Sequence, residues 1–182
     1  MYRGFKKVEI TAFRRGLDYW GAFDLTKGYD FLVKQGEKNE VYAVTPEIKY
    51  FVIGKDVQPD VAGLRFGELG KKQFKISLEG AYQIAKISDK KKIRVTGQAE
   101  SLVLYGRDVF GSSISWADES IKQNEPVIIA NKYGEAIGLG RARYDFDEIR
   151  TDKITVSTES DIGLYIRGQE EIYGTPVCYR TP

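Results

Sequence analysis

Histidine is absent from this sequence, and cysteine occurs once, at Cys178. Without imidazole there is no Ser-His-Asp or Cys-His catalysis and no His metal ligand. The side chain most used as a general base near neutral pH is also missing. Carboxylate and lysine chemistry stay open. One cysteine forbids an intramolecular disulfide, and with no histidine it cannot build a zinc site of about four Cys or His ligands. Long apolar runs are missing too. The longest, such as Pro126-Val127-Ile128-Ile129-Ala130, have strand length, far below the ~20 residues of a membrane span. The opening MYRGFKKVEI has no apolar stretch of the secretory kind. The expectation is an intracellular protein without membrane association: cytoplasmic, or nucleolar if the source is eukaryotic.

A strong excess of either charge is also lacking. The 182 residues carry 28 Lys and Arg against 26 Asp and Glu, a net charge of +2. The distribution is uneven: residues 1–91 hold 17 cations and 12 carboxylates, residues 92–182 hold 11 and 14. Non-specific nucleic-acid binding needs cations that displace phosphate counterions. Any such binding here must use a local basic patch on a mixed surface. Hydrophobic residues at 42% and charged residues at 30% suit a globular chain, of a length for one large or two small domains.

Strand-like alternation opens the chain: in KKVEITAF, Val8, Ile10 and Ala12 alternate with Glu9 and Thr11. Further strands are expected at Val41–Thr45, Tyr50–Ile53 and QFKISL, with a turn at Gln35–Asn39. Ala81, Ile84 and Ala85 fall at helical spacing in Glu79–Lys86, with Ser77 or Glu79 near the helix start. The run Ser88-Asp89-Lys90-Lys91-Lys92 reads as a domain boundary, either a solvated linker or an RNA contact. Beyond it, IRVTG and KITVS read as strands, LVLYGRDVFGSSI as a short helix, and PVIIANKYGEAIGLGRAR as two strands joined at Asn131–Gly134. Asp161 stands where a cap or first-turn carboxylate would start the helix IGLYIRGQEEI. The fold class expected is α+β: an N-terminal mixed α/β domain with an antiparallel sheet over 1–91, then a small β-barrel over 92–182.

Four constellations bear on function. In Gly138-Leu139-Gly140-Arg141-Ala142-Arg143, two glycines leave a strand bare at alternate positions, while Arg141 and Arg143 leave one face. This is either an RNA-contact edge or a glycine kink closing a small barrel beneath solvated arginines. In the LVLYGRDVFG segment, Arg107 is the exposed exception among core positions. Arg167, in the last turn of the final helix, either complements that helix's dipole or touches RNA. Tyr133, Tyr144 and Phe146 flank the arginines, as core or as stacking platforms for single-stranded RNA. Lys153, the first residue of the KITVS strand, is a further candidate RNA contact. The adjacent pairs Asp118-Glu119 and Asp147-Glu148 point apart and read as surface charge, not as an acid–base pair.

The strings GLRFGELGKKQFKISLEGAYQI, ESLVLYGRDVFGSSI, VIIANKYGEAIGLGRA and SDIGLYIRGQEEI occur in an order and spacing that resemble one family. It is the Nip-seven type of ribosome-assembly factor (60S subunit biogenesis), matched over residues 60–173 and closest to archaeal members. The resemblance implies an N-terminal α/β domain followed by a PUA domain, without catalysis; the accompanying expectation is a monomer with no cofactor or metal. It implies binding of U- or AU-rich pre-ribosomal RNA, with ribosome-assembly proteins and, in archaea, the exosome as partners. In PUA domains generally, RNA lies near the first helix, the glycine-rich strand and the final helix. Those places fall on Arg107, on Gly138, Gly140, Arg141 and Arg143, and on Arg167. Where family members carry further basic residues after this point, the chain has Gln169-Glu170-Glu171. Two other readings remain open: a protein-interaction adaptor with little RNA affinity, and an RNA-modifying enzyme.

Overall fold

A computed structural model describes residues 1–167 except 56, 72, 150 and 166. Cys178, Gln169-Glu170-Glu171 and most of the expected final helix lie outside the described residues.

The expected first strand is a helix, α1 (Lys7–Tyr19). Val8 is 70% exposed, and the residues that bury are Ala12, Phe13 and Leu17, which share a helical face. The start is fixed by Glu9, whose carboxylate accepts from the Lys6 backbone N–H at 2.8 Å and binds Arg3 at 2.7 Å. That local hydrogen bonding outweighs an alternation only a few residues long.

Strands β1 (Tyr2–Arg3), β2 (Asp30–Lys34), β3 (Asn39–Val44), β4 (Leu64–Leu69) and β5 (Phe74–Ile76) form one antiparallel sheet in that order. One face packs an aromatic cluster under α1 and α3 (Leu78–Ala85), in which Phe13 sits 4.8 Å from Phe31 and 5.0 Å from Phe74. Tyr2, Leu32, Tyr42 and Val44 are buried on the other face with Val52 and Ala62. The segment expected as strand at Tyr50–Ile53 instead continues α2 (Pro46–Lys49) as a wide helical turn, Tyr50–Gly54. Only Val52 of that turn is buried, so no second strand-like row exists for a sheet to pair. Ser77 caps α3 as expected, accepting from Gly80 N–H at 3.1 Å.

Six strands form the second sheet, in the order β7-β11-β10-β9-β6-β8. They are β6 (Lys92–Val95), β7 (Val109–Phe110), β8 (Ile114–Ala117), β9 (Pro126–Ala130), β10 (Ala136–Ala142) and β11 (Ile154–Asp161). Only β6 and β9 run parallel. The sheet wraps a core of Ile93, Val103, Ile129, Ile137 and Val156 as a nearly closed barrel. The expected helix through Phe110 stops earlier: α4 spans Gln98–Leu104, the chain turns at Gly106 with φ +72°, and Val109–Phe110 joins β11 as a strand. Phe146 packs into the barrel core and Tyr144 is half-buried.

The two sheets are packed together. Ile128 and Ala136 of the barrel belong to the core of the first sheet, and the Tyr19 hydroxyl donates to Pro126 O at 2.8 Å. Neither expectation for the boundary lysines holds at Lys91 or Lys92. Lys92 is 2% exposed, with its ammonium 2.9 Å from Ala85 O and 2.6 Å from Asp89. Lys91 is buried and pairs with Glu125 at 2.6 Å. Burial is tolerable because each ammonium has found an anionic partner.

These pairs predict acid sensitivity. The Lys92 ammonium bonded to Asp89 holds that carboxyl below its ordinary 3.8, and the Arg3 guanidinium holds Glu9 below 4.5. Both carboxylates therefore stabilise the fold above those ordinary values, and the contribution is lost as pH falls through the depressed ones. The urea midpoint is expected to be level from about pH 7 to about pH 5 and to drop below about pH 4. The Glu9→Gln/Asp89→Asn variant should show a shallower drop; an identical drop would remove these two groups as its cause.

Candidate nucleic-acid interface

The β10–β11 pair organises the candidate residues. Arg141 pairs in register with Ser157, and Arg143 donates to Ser157 Oγ at 2.7 Å, with buried Ala142 between them. Both arginines therefore leave the outer face of the barrel at one end of β10. Lys153, exposed at the start of β11, lies at that same end, because Arg143 N–H bonds Thr155 O. Arg107 is tied alongside: its carbonyl accepts from Thr158 Oγ1 at 2.8 Å. Its exposed side chain, like that of Lys153, makes no hydrogen bond or ion pair among the described residues.

Two of these arginines are ion-paired. Arg141 Nε lies 2.7 Å from Glu159, and its Nη1 is 2.7 Å from Asn124 O. Arg143 Nη2 lies 2.7 Å from Asp108, whose other oxygen accepts from Thr158 N–H at 3.0 Å. Asp108 and Glu159 are the residues that reading by motif left out. The β10–β11 pairing brings Glu159 beside Arg141, and the Thr158 N–H holds Asp108, from the loop after α4, beside Arg143.

Gly138 and Gly140 are buried, on a strand paired on both sides. A Cβ at Gly138 would lie 2.9 Å from Ser160 O and 3.2 Å from Val103 Cγ1. One at Gly140 would lie 2.6 Å from Ser157 O and 2.7 Å from Val156 Cγ1. The space beside these glycines is thus filled by β11 and the barrel core, and both adjoin shifts in register where the sheet bends.

Arg167 lies at the other end of the pair. Asp161, expected as a helix cap, is the last residue of β11 and 3% exposed, and it binds Arg167 Nη2 through both oxygens at 3.1 and 2.9 Å. Arg167 Nη1 donates to Leu104 O, at the C-terminal end of α4. Its cation thus complements the carbonyl end of α4. Tyr133 stands exposed in the β9–β10 turn, at the opposite end of β10 from Arg141.

Among the described residues, no group of three or more His, Cys, Asp or Glu could hold a metal ion. No helix among them is long and apolar enough to cross a membrane.

Comparison with known proteins agrees with this architecture. A UPF0113 protein of Archaeoglobus fulgidus is 38% identical over 165 residues, covering 89% of this chain and 92% of that one. Another from Aeropyrum pernix is 30% identical over 108 residues, 58% of this chain and 56% of its own. Among solved structures, a hypothetical protein from Pyrococcus horikoshii superposes with a TM-score of 0.63 at 16% identity, covering 88% of this chain and 94% of that one. A conserved PUA domain protein from Thermoplasma acidophilum gives 0.60 at 15% identity, covering 92% and 99%. Residues 91–170 match the UPF0113 PUA domain. The chain therefore belongs to the UPF0113 family, with its PUA domain formed by the barrel that carries Arg107, Arg141 and Arg143.

Proposed function

We propose that this protein is a non-catalytic, monomeric RNA-binding factor acting in pre-ribosomal RNA processing and large-subunit assembly, with a preference for U- or AU-rich single strands. The observation that carries the reading is the gathering of Arg107, Arg141, Arg143 and Lys153 about one stretch of β10–β11 on a PUA barrel. The likeness of its motifs to the Nip-seven type supports the ribosomal role, with assembly proteins and the exosome as partners.

The ion pairs on this face do not bar RNA. Arg141 and Arg143 are each 45% exposed, and such exposed pairs contribute only about 0–1 kcal/mol. A phosphate offers a bidentate acceptor and releases counterions, so it displaces Glu159 or Asp108 at little cost. Gly138 and Gly140 shape the strand beneath, and Arg167 holds the final turn against α4. The test is fluorescence anisotropy of labelled U-rich and C-rich strands of about twelve nucleotides across a salt series. The U-rich strand should bind more tightly, with log K falling linearly against log salt. No binding even at low salt would remove the reading.

A second reading, the protein adaptor, is favoured by one surface. Tyr50, Phe51, Ile53, Val57 and Val61 are all exposed within twelve residues of the first half. Apolar clusters of this kind mark docking sites. An assembly protein that stays bound after nuclease treatment, and is lost on Phe51→Asp, would favour it.

A further inference from the structure

We propose, resting on the RNA-binding reading above, that the RNA track leaves the barrel and crosses the cleft between the two sheets, where cations of the first half hold the phosphates of a single strand. The cleft has a volume of about 500 Å³. Arg15 and Tyr19 of α1 and Lys75 of β5 line it from one side, and Arg141 and Glu159 from the other.

Its charge suits a polyanion. Three cations, Arg15, Lys75 and Arg141, face one carboxylate, Glu159. Arg15 and Lys75 are exposed, and their side chains make no hydrogen bond or ion pair among the described residues. Arg141 spends Nε and Nη1 on Glu159 and Asn124, which leaves Nη2 uncommitted. Lys75 also lines an adjoining groove with Lys38, Lys71 and Glu68, so an excess of cations continues toward the β4–β5 turn.

The packing makes this juxtaposition fixed. A Cβ on Gly16 would lie 2.6 Å from Phe74 Cδ1, so the absence of a side chain there seats α1 on β5 and brings Arg15 beside Lys75. The Tyr19 hydroxyl, bonded to Pro126 O, ties that wall to the barrel. Burial pushes its phenol up, still further from neutral pH. The arrangement is consistent with the uneven charge of the chain. A barrel half with 11 cations and 14 carboxylates gains phosphate-binding charge from a half with 17 and 12.

The test uses the full chain and the same U-rich strand across a salt series. Arg15→Gln/Lys75→Gln removes two unpaired surface cations and should leave the melting temperature unchanged. Binding should weaken about tenfold at low salt, with a slope shallower by about 1.4, since each single-strand phosphate contact contributes about 0.7. Arg14→Gln, on the same helix but outside the cleft, should leave the slope unchanged. Glu159→Gln, which frees Arg141, should tighten binding several-fold. If wild type binds and the cleft variant keeps its affinity and slope, the cleft proposal is overturned while the barrel face stands. An equal effect from Arg14→Gln would overturn it as well, by reducing it to general charge. No binding by wild type would overturn both readings together.

Discussion

Replacing both Arg141 and Arg143 with alanine is expected to weaken binding of a U-rich strand by about 100-fold at low salt. Each charge-assisted hydrogen bond contributes about 1.5 kcal/mol, and about 1.4 kcal/mol is tenfold. The salt slope should flatten by about 1.4, the signature of two lost phosphate contacts on a single strand. Stability should hardly change, because the ion pairs to Glu159 and Asp108 are half exposed. That combination separates a binding surface from a structural one. Lysine at both positions should recover much of the slope but less of the affinity, since it keeps the charge and loses the fork. An unaltered slope in the alanine variant would remove β10 as the contact strand.

Arg167→Ala is expected to do the reverse: lose stability and keep the salt slope. Asp161 is 3% exposed and takes both of its hydrogen bonds to a side chain from Arg167. Removing the guanidinium strands a buried carboxylate, which costs about 3 kcal/mol. For a chain of this length that corresponds to a fall in melting temperature of about 6–12 °C. Leu104 O loses its donor as well, so the end of α4 should fray first. The paired change Asp161→Asn/Arg167→Gln leaves no uncompensated charge and should regain much of the loss. Thermal unfolding followed by circular dichroism reads both variants. A melting temperature for Arg167→Ala equal to that of wild type would show that the pair contributes nothing to stability.

Where sequence reading succeeded and failed follows from the range of the forces involved. Ser77 as the cap of α3 and the turn at Asn131–Gly134 are set by neighbours within a few residues, and the apolar runs of β9, β10 and the first half of β11 stand in their own sequence. Local patterns report such contacts directly. The alternation of Val8, Ile10 and Ala12 misled because only three positions carried it. Helix α1 is decided by Glu9 reaching back to Lys6 and by Phe13 and Leu17 meeting a sheet far along the chain. Lys91 misled for a related reason: the acceptors that bury it, Glu125 and Ser120 O, lie some thirty positions away.

By itself, the sequence determined the α+β class, the loss of imidazole chemistry, the two same-face arginines on a glycine-bearing strand and the motifs shared with a PUA-containing family. These depend on composition and on spacing along one strand. Only the tertiary structure decided which carboxylate faces each arginine, that the glycines are filled by β11, that Arg167 caps α4, and that Arg15 and Lys75 share a cleft with Arg141. Those are pairings between residues up to 126 positions apart, from Arg15 to Arg141. Ion pairs and close backbone contacts act over a few ångströms of space, and chain separation carries no record of them.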